Sequence, residues 1–141
     1  MKILIIGGKG MLGHKLFQVL SKKYDVWTTI RDSFNDNTDS LYLKNAKVFE
    51  NIDVQKFETV DKVINNLEPK VIINAVGVIK QKKESKDIVK TLEINSVFPH
   101  KIVEIAKKIN ARFITFSTDC VFDGKRGNYS ELDIPNVRDL Y

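Results

Sequence analysis

A chain of 141 residues, 43% apolar and 29% charged, is long enough for one domain with its own core and is neither disordered nor fibrous. Its net charge of +5 comes from lysines scattered over what read as solvated helix faces, and the densest group, Lys80 to Lys83, is short; no nucleic-acid partner is expected, and a basic surface suits a small anionic ligand. With no apolar run of bilayer length, no secretory leader, and a single cysteine, Cys120, that excludes an internal disulfide, a cytoplasmic protein without membrane contact is expected.

The first apolar run, residues 3–6, reads as a buried strand and leads directly into GGKGMLG. Gly7, Gly10 and Gly13 form G-x-x-G-x-x-G ahead of a helix whose inner face is predicted to carry Leu12, Leu16, Val19 and Leu20. Glycines there permit a tight turn, let a pyrophosphate approach the backbone and let helix pack on strand, while the helix start near Met11 offers free N–H groups to the anion. A dinucleotide is the expected ligand; no G-K-[ST] follows, so the loop is not a Walker loop. Nothing in the sequence accounts for Gly8, and His14 is expected on the helix surface.

A second strand, 26–30, ends at Arg31 and Asp32. An arginine in this place accommodates a 2′-phosphate and an acidic residue accepts from a 2′-hydroxyl, so Arg31 favours NADP(H) over NAD(H) while Asp32 keeps both open, its alternative role being to cap a turn. Residues 31–45, rich in Asp, Asn and Ser, read as an irregular excursion. After a third strand, 47–49, Asp53 is placed either to cap a helix bearing Phe57, Val60, Val63, Ile64 and Leu67 or to touch adenine. That helix stops at Glu68-Pro69.

A fourth strand, 71–75, ends in Asn74, Ala75, Val76 and Gly77, small side chains where a cofactor lies against the sheet edge. A long helical stretch over 86–109 follows, with Ile88, Val89, Leu92, Ile102, Val103, Ile105, Ala106 and Ile109 apolar and Pro99 expected to bend or interrupt it. A fifth strand, 113–116, leads to Ser117, Thr118 and Asp119, which on their own are turn and cap formers. Strands apolar on both faces alternating with helices predict an α/β fold, a right-handed, doubly wound Rossmann-type parallel sheet with ligands gathered at the strands' carboxyl ends. No metal site is expected.

From FSTDCVFDG, residues 116–124, through YSELDIPNVRDLY the chain resembles the extended short-chain dehydrogenase/reductase family, in its dTDP-4-dehydrorhamnose reductase-like, sugar-nucleotide-modifying branch. The likeness takes in G-x-x-G-x-x-G at 7–13, Asp53, Asn74 to Gly77, Asn95, and Ser117 to Asp119, and so runs the length of the chain.

The resemblance implies that Gly10, Met11 and Leu12 lie beneath the pyrophosphate, that Asp53 and Val54 flank adenine, and that Ala75, Val76 and Gly77 adjoin the ribose near nicotinamide. It implies that Ser117 borders the cofactor, that Thr118 bonds the substrate's reacting oxygen, that Asp119 contacts sugar or organises the site, and that Asn95 holds the active-site geometry. Tyr141 matches the tyrosine of Y-x-x-x-K, whose lysine would follow the last residue given. A phenol with an ordinary pKa of about 10 exchanges protons near neutrality more readily beside such a cation.

The implied parent activity is NAD(P)H-dependent reduction of a 4-keto nucleotide-activated deoxysugar for polysaccharide synthesis, with a nucleotide sugar as partner and a homo-oligomer compatible. Residues 1–141 would be its NAD(P)-binding domain, cut short of a substrate domain, binding dinucleotide weakly and not turning over alone. An epimerase or a reductase acting at another carbon shares every motif here, and so does a non-catalytic, cofactor-binding regulatory subunit. The stretch VIKQKK after Gly77 is less polar than a dTDP-rhamnose enzyme leads one to expect.

Overall fold

A computed structural model describes residues 1–79 and 87–137. Lys80 to Lys83 and Tyr141 lie outside the described residues.

Five parallel strands, β1 (Lys2–Ile6), β2 (Asp25–Thr29), β3 (Lys47–Phe49), β4 (Val71–Asn74) and β5 (Arg112–Thr115), pair in the order β3-β2-β1-β4-β5. The order reverses between β1 and β4, the point at which an open α/β sheet leaves a crevice.

The unbroken apolar run of β1 follows from burial on both faces. Leu4 and Ile6 point into one core with Val60, Ile64, Ile72, Phe98 and Ile102; Ile3 and Ile5 point into another with Phe17, Val26, Ile30, Leu43 and Ile73. Helix α1 (Met11–Leu20) covers the second face and α3 (Phe57–Leu67) the first. The apolar stripe expected of α3 is its buried face, with Val60, Val63, Ile64 and Leu67 inside, and Glu68 closes it in the left-handed conformation at φ 47.

For α1 the expected stripe is corrected. Leu12 and Val19 are exposed, and the buried positions are Gly13 and Phe17, with Leu16 and Leu20 packed at the margin of the core. The helix leans on the strand through a residue with no side chain, which hydropathy cannot reveal.

Residues 31–45 are also more than an excursion. Asn35 caps a single turn, α2 (Asp36–Asp39), by accepting the Asn37 N–H at 3.0 Å, and Leu43, 1% exposed, completes the core beside α1.

The long helix does not end at Pro99 but is interrupted beside it, as expected, by a π turn. It runs as α4 (Ile88–Leu92), a π turn (Glu93–Val97) and α5 (Phe98–Lys108), with Leu92, Val97 and Phe98 all at helical φ and ψ. Proline has no N–H for the carbonyl four residues back, and its ring crowds that carbonyl. The chain answers by widening one turn, so that the Phe98 N–H bonds Glu93 O. Ile88, Val89 and Leu92, marked in the sequence only as apolar, are exposed, whereas Thr91, Ile94, Phe98 and Ile102 face inward.

Candidate functional site

Gly7 ends β1 at φ +97, a conformation that favours glycine, and its N–H donates to Thr29 Oγ1 at 3.1 Å. The turn tightens as the Gly10 N–H reaches Gly7 O at 3.2 Å, and the first intrahelical bond of α1 runs from the His14 N–H to Gly10 O at 3.0 Å. No side chain caps this helix and no acidic residue lies in its first turn, so its electropositive end is uncompensated.

The structure supplies the reason for Gly8. A Cβ there would overlap the Thr28 hydroxyl, which donates to Ile5 O at 3.0 Å within the buried sheet. At Gly13 a Cβ would overlap Gly7 O, whereas at Gly10 its nearest neighbour would be 3.4 Å away. Gly8 and Gly13 therefore serve packing, and Gly10 keeps the cleft open. His14 stays on the helix, Nδ1 2.9 Å from Gly10 O, against Tyr42.

A cleft of about 370 Å³ opens at the switch between β1 and β4, a volume ordinary for a small-molecule site. It gathers Gly7, Gly10, Arg31, Asp53, Val54, Ala75, Val76 and Gly77 from the ends of four strands, together with Asp32. Met11 and Leu12 stand exposed in the first turn of α1, and Gly13 is buried beneath the loop; none of the three lines the cleft, nor do Asn95, Ser117 and Thr118.

Asp53 does not cap α3, whose N-cap is Lys56 without a side-chain bond. Its Oδ1 accepts the Gln55 N–H at 3.1 Å in a local turn, which sets it on the cleft wall. Asn74 is 4% exposed and structural, its amide donating to Thr115 Oγ1 at 3.3 Å and its Oδ1 accepting the Val76 N–H at 3.1 Å. Asn95, inside the π turn, clamps the segment after β4: its Oδ1 accepts the Val78 N–H at 2.8 Å and its amide donates to Val78 O at 2.9 Å.

Sequence reasoning missed Lys9, Thr29, Ile30, Ile52, Gln55, Val78, Lys90 and Ile94, all on the cleft. Lys9 was legible in GGKG itself. Its Nζ meets Asp39 Oδ2 at 2.8 Å, and that ammonium, with the Asn35 N–H also bonded to Oδ2, holds the Asp39 carboxyl below the usual carboxylate range. The one-turn helix α2 is thereby tied to the glycine loop. Among the described residues no three His, Cys, Asp or Glu side chains group as a metal site requires.

Ser117 and Thr118 follow β5 at the same carboxyl edge of the sheet; Ser117 is exposed, and half-buried Thr118 Oγ1 accepts the Cys120 N–H at 3.1 Å. Asp119 opens a 3-10 turn, Asp119–Val121. Beyond it the chain is folded by two carboxylates. Asp123 Oδ1 accepts the Tyr129 hydroxyl at 2.6 Å and the Lys125 N–H at 3.1 Å, while Asp133 accepts the Ser130 N–H at 2.7 Å and pairs with Arg126 at 2.7 Å.

The tyrosine hydroxyl holds the Asp123 carboxyl low, and the Ser130 N–H followed by Arg126 does the same for Asp133. A depressed folded-state pKa means that the stabilisation is present above the unfolded value and lost as pH falls through the folded one. NMR signals of residues 123–136 are therefore expected to collapse toward unfolded positions below about pH 4 while those of β1 and β4 hold; loop signals unmoved at about pH 2 would refute this role.

The sequence model of the RmlD substrate binding domain family matches residues 1–141. A dTDP-4-dehydrorhamnose reductase of Aggregatibacter actinomycetemcomitans is 28% identical over 136 residues, 94% of this chain and 40% of that protein. The methionine adenosyltransferase 2 subunit beta of Mus musculus is 26% identical over 145 residues, 99% of this chain and 39% of that protein. The crystal structure of a hypothetical dTDP-4-dehydrorhamnose reductase from Sulfolobus tokodaii superposes with a TM-score of 0.82 at 32% identity, covering 100% of this chain and 48% of that one. The chain thus spans about two-fifths of the curated relatives it matches.

Proposed function

We propose, from the premise that this chain belongs to the RmlD substrate binding domain family, that it forms the nicotinamide-cofactor half of a sugar-nucleotide reductase. The observation that carries the reading is the cleft at the β1–β4 switch, where a glycine turn, an uncapped helix start and Arg31 face one volume. Gly7 and Gly10 leave room for a pyrophosphate against the backbone, Arg31 offers a guanidinium to a 2′-phosphate, and Ala75, Val76 and Gly77 form a flat wall beside it. Held there by Gly7, Gly10, Arg31 and the wall of Ala75 to Gly77, a nicotinamide cofactor would supply hydride chemistry to a substrate carbon.

The substrate favoured is a nucleotide-activated 4-keto deoxysugar. Support comes from the reductase likeness and from the Ser117-Thr118-Asp119 stretch at the carboxyl end of β5. Thr118 would hold the carbonyl oxygen by its hydroxyl, and Tyr141 would deliver a proton to it. Asn95 keeps the wall in place through Val78.

NADP(H) is preferred over NAD(H) because Arg31 makes no ion pair among the described residues and is free to meet a phosphate dianion. Arg31→Leu is expected to lower the NADPH-to-NADH affinity ratio about tenfold, read by calorimetry; an unchanged ratio would refute the preference. Activity is tested with the full-length protein, a 4-keto sugar nucleotide and reduced cofactor, by the cofactor's loss of absorbance.

A second reading, a non-catalytic regulatory subunit that keeps the cleft, is favoured by the likeness to methionine adenosyltransferase 2 subunit beta across 99% of the chain. Cofactor binding without turnover of any 4-keto sugar nucleotide by the full-length protein would select it.

A further inference from the structure

Lys9 is the only residue of the turn at 7–10 that carries a side chain, and that side chain crosses to the segment after β2. Its Nζ donates to Ser33 O at 3.4 Å and meets Asp39 Oδ2 at 2.8 Å, which brings an ammonium to a residue two positions from Arg31. Both cations line the cleft, and Asp39 does not. Arg31 is exposed and pairs with no carboxylate among the described residues, whereas Lys9 is neutralised.

Asp39 is held independently of the lysine. Its Oδ2 also accepts the Asn35 N–H at 2.8 Å and its Oδ1 the Thr38 hydroxyl at 3.4 Å, and its side chain is 9% exposed against 34% for Lys9. The carboxylate is therefore the fixed member of the pair, and the ammonium is the member that an anion in the cleft can reach. Such a pair shows little net charge at a distance, while either member alone leaves a partly buried charge that a nearby phosphate would feel.

We propose that Asp39 sets the selectivity of the cleft between phosphorylated and unphosphorylated nicotinamide cofactors by withholding Lys9, so that Arg31 alone meets a 2′-phosphate. This rests on the cofactor reading above and adds to it a residue that touches no ligand: Asp39 is a positioning residue that acts through Lys9. Its influence is restraining. Removing this carboxylate improves the binding of a phosphate dianion, the opposite of what a residue that merely builds the loop would show.

The test is an NMR titration of the isotopically labelled chain with NADPH and with NADH. Asp39→Asn, which keeps an acceptor for the Asn35 N–H, is expected to tighten NADPH about fivefold and to change NADH by less than about twofold. Lys9→Met, which leaves the carboxylate bare, should weaken NADPH about fivefold, and adding Asp39→Asn to it should recover most of that loss. The double variant leaves neither charge unpaired and serves should Asp39→Asn alone misfold. Equal losses for both cofactors in Asp39→Asn overturn the proposal, since a damaged loop does that. A double variant no better than Lys9→Met also overturns it, because Lys9 would then sit on the phosphate in the unaltered chain. An NADPH-to-NADH ratio unchanged in Asp39→Asn overturns it too, with the cofactor reading intact. Absence of any shift at residues 7–13 with either cofactor overturns the cofactor reading, and this proposal with it.

Discussion

Gly13→Ala is expected to destabilise the chain by about 2–3 kcal/mol, although alanine is the better helix former. The added methyl would overlap Gly7 O and would stand 2.9 Å from the Gly7 carbonyl carbon and 3.1 Å from Gly8 Cα, all of them backbone. Backbone cannot swing aside as a flexible side chain can, so α1 must move off the turn and Phe17 with it. Gly10→Ala is the control: its Cβ would meet nothing closer than 3.4 Å, so stability should fall by less than about 1 kcal/mol while dinucleotide affinity drops. Urea denaturation of both variants checks the pair. Equal stability losses would sink the division of these glycines into packing and cleft-opening roles.

Asn95→Ala is the second large effect, at about 2–4 kcal/mol. It removes an acceptor from the Val78 N–H and a donor from Val78 O at a residue only 7% exposed, leaving two buried backbone groups without partners. The damage should be local first: amide exchange at Val78 is expected to accelerate about a hundredfold or more, while exchange at Ile5 and Ile72 follows only the global loss. Asn95→Asp keeps the acceptor but not the donor and should fall between. Protection at Val78 that survives Asn95→Ala would show that the clamp is not what holds the segment.

The sheet was legible because its cause is local and repeated: short runs apolar on both faces, separated by helices, read as parallel strands, and each lies within a residue of its expected bounds. The stripe on α3 was legible for the same reason. On α1 the reading failed because the decisive contact is made by Gly13, whose lack of a side chain gives no hydropathic signal, while Leu12 and Val19 are apolar yet exposed.

Most of the cleft residues came from strand ends, where the fold class alone places ligand contacts. Gln55, Lys90 and Ile94 did not, because a loop and a helix nearly forty positions apart meet only in the folded chain. Gly8 could not be explained from the sequence, since its reason, Thr28, stands on the neighbouring strand.

The π turn at 93–97 also fixes a count. It holds one residue more than an α-helical turn of the same rise, so everything from Leu92 back to Asp87 is rotated by about 100° from where an uninterrupted α-helix would put it. Deleting any single residue from 93–97 would make a more regular helix and a worse protein. Either Lys90 would turn away from the cleft or Asn95 would lose Val78, because one register cannot serve both. In this chain the length of that turn is therefore as specific as the identity of any residue in it.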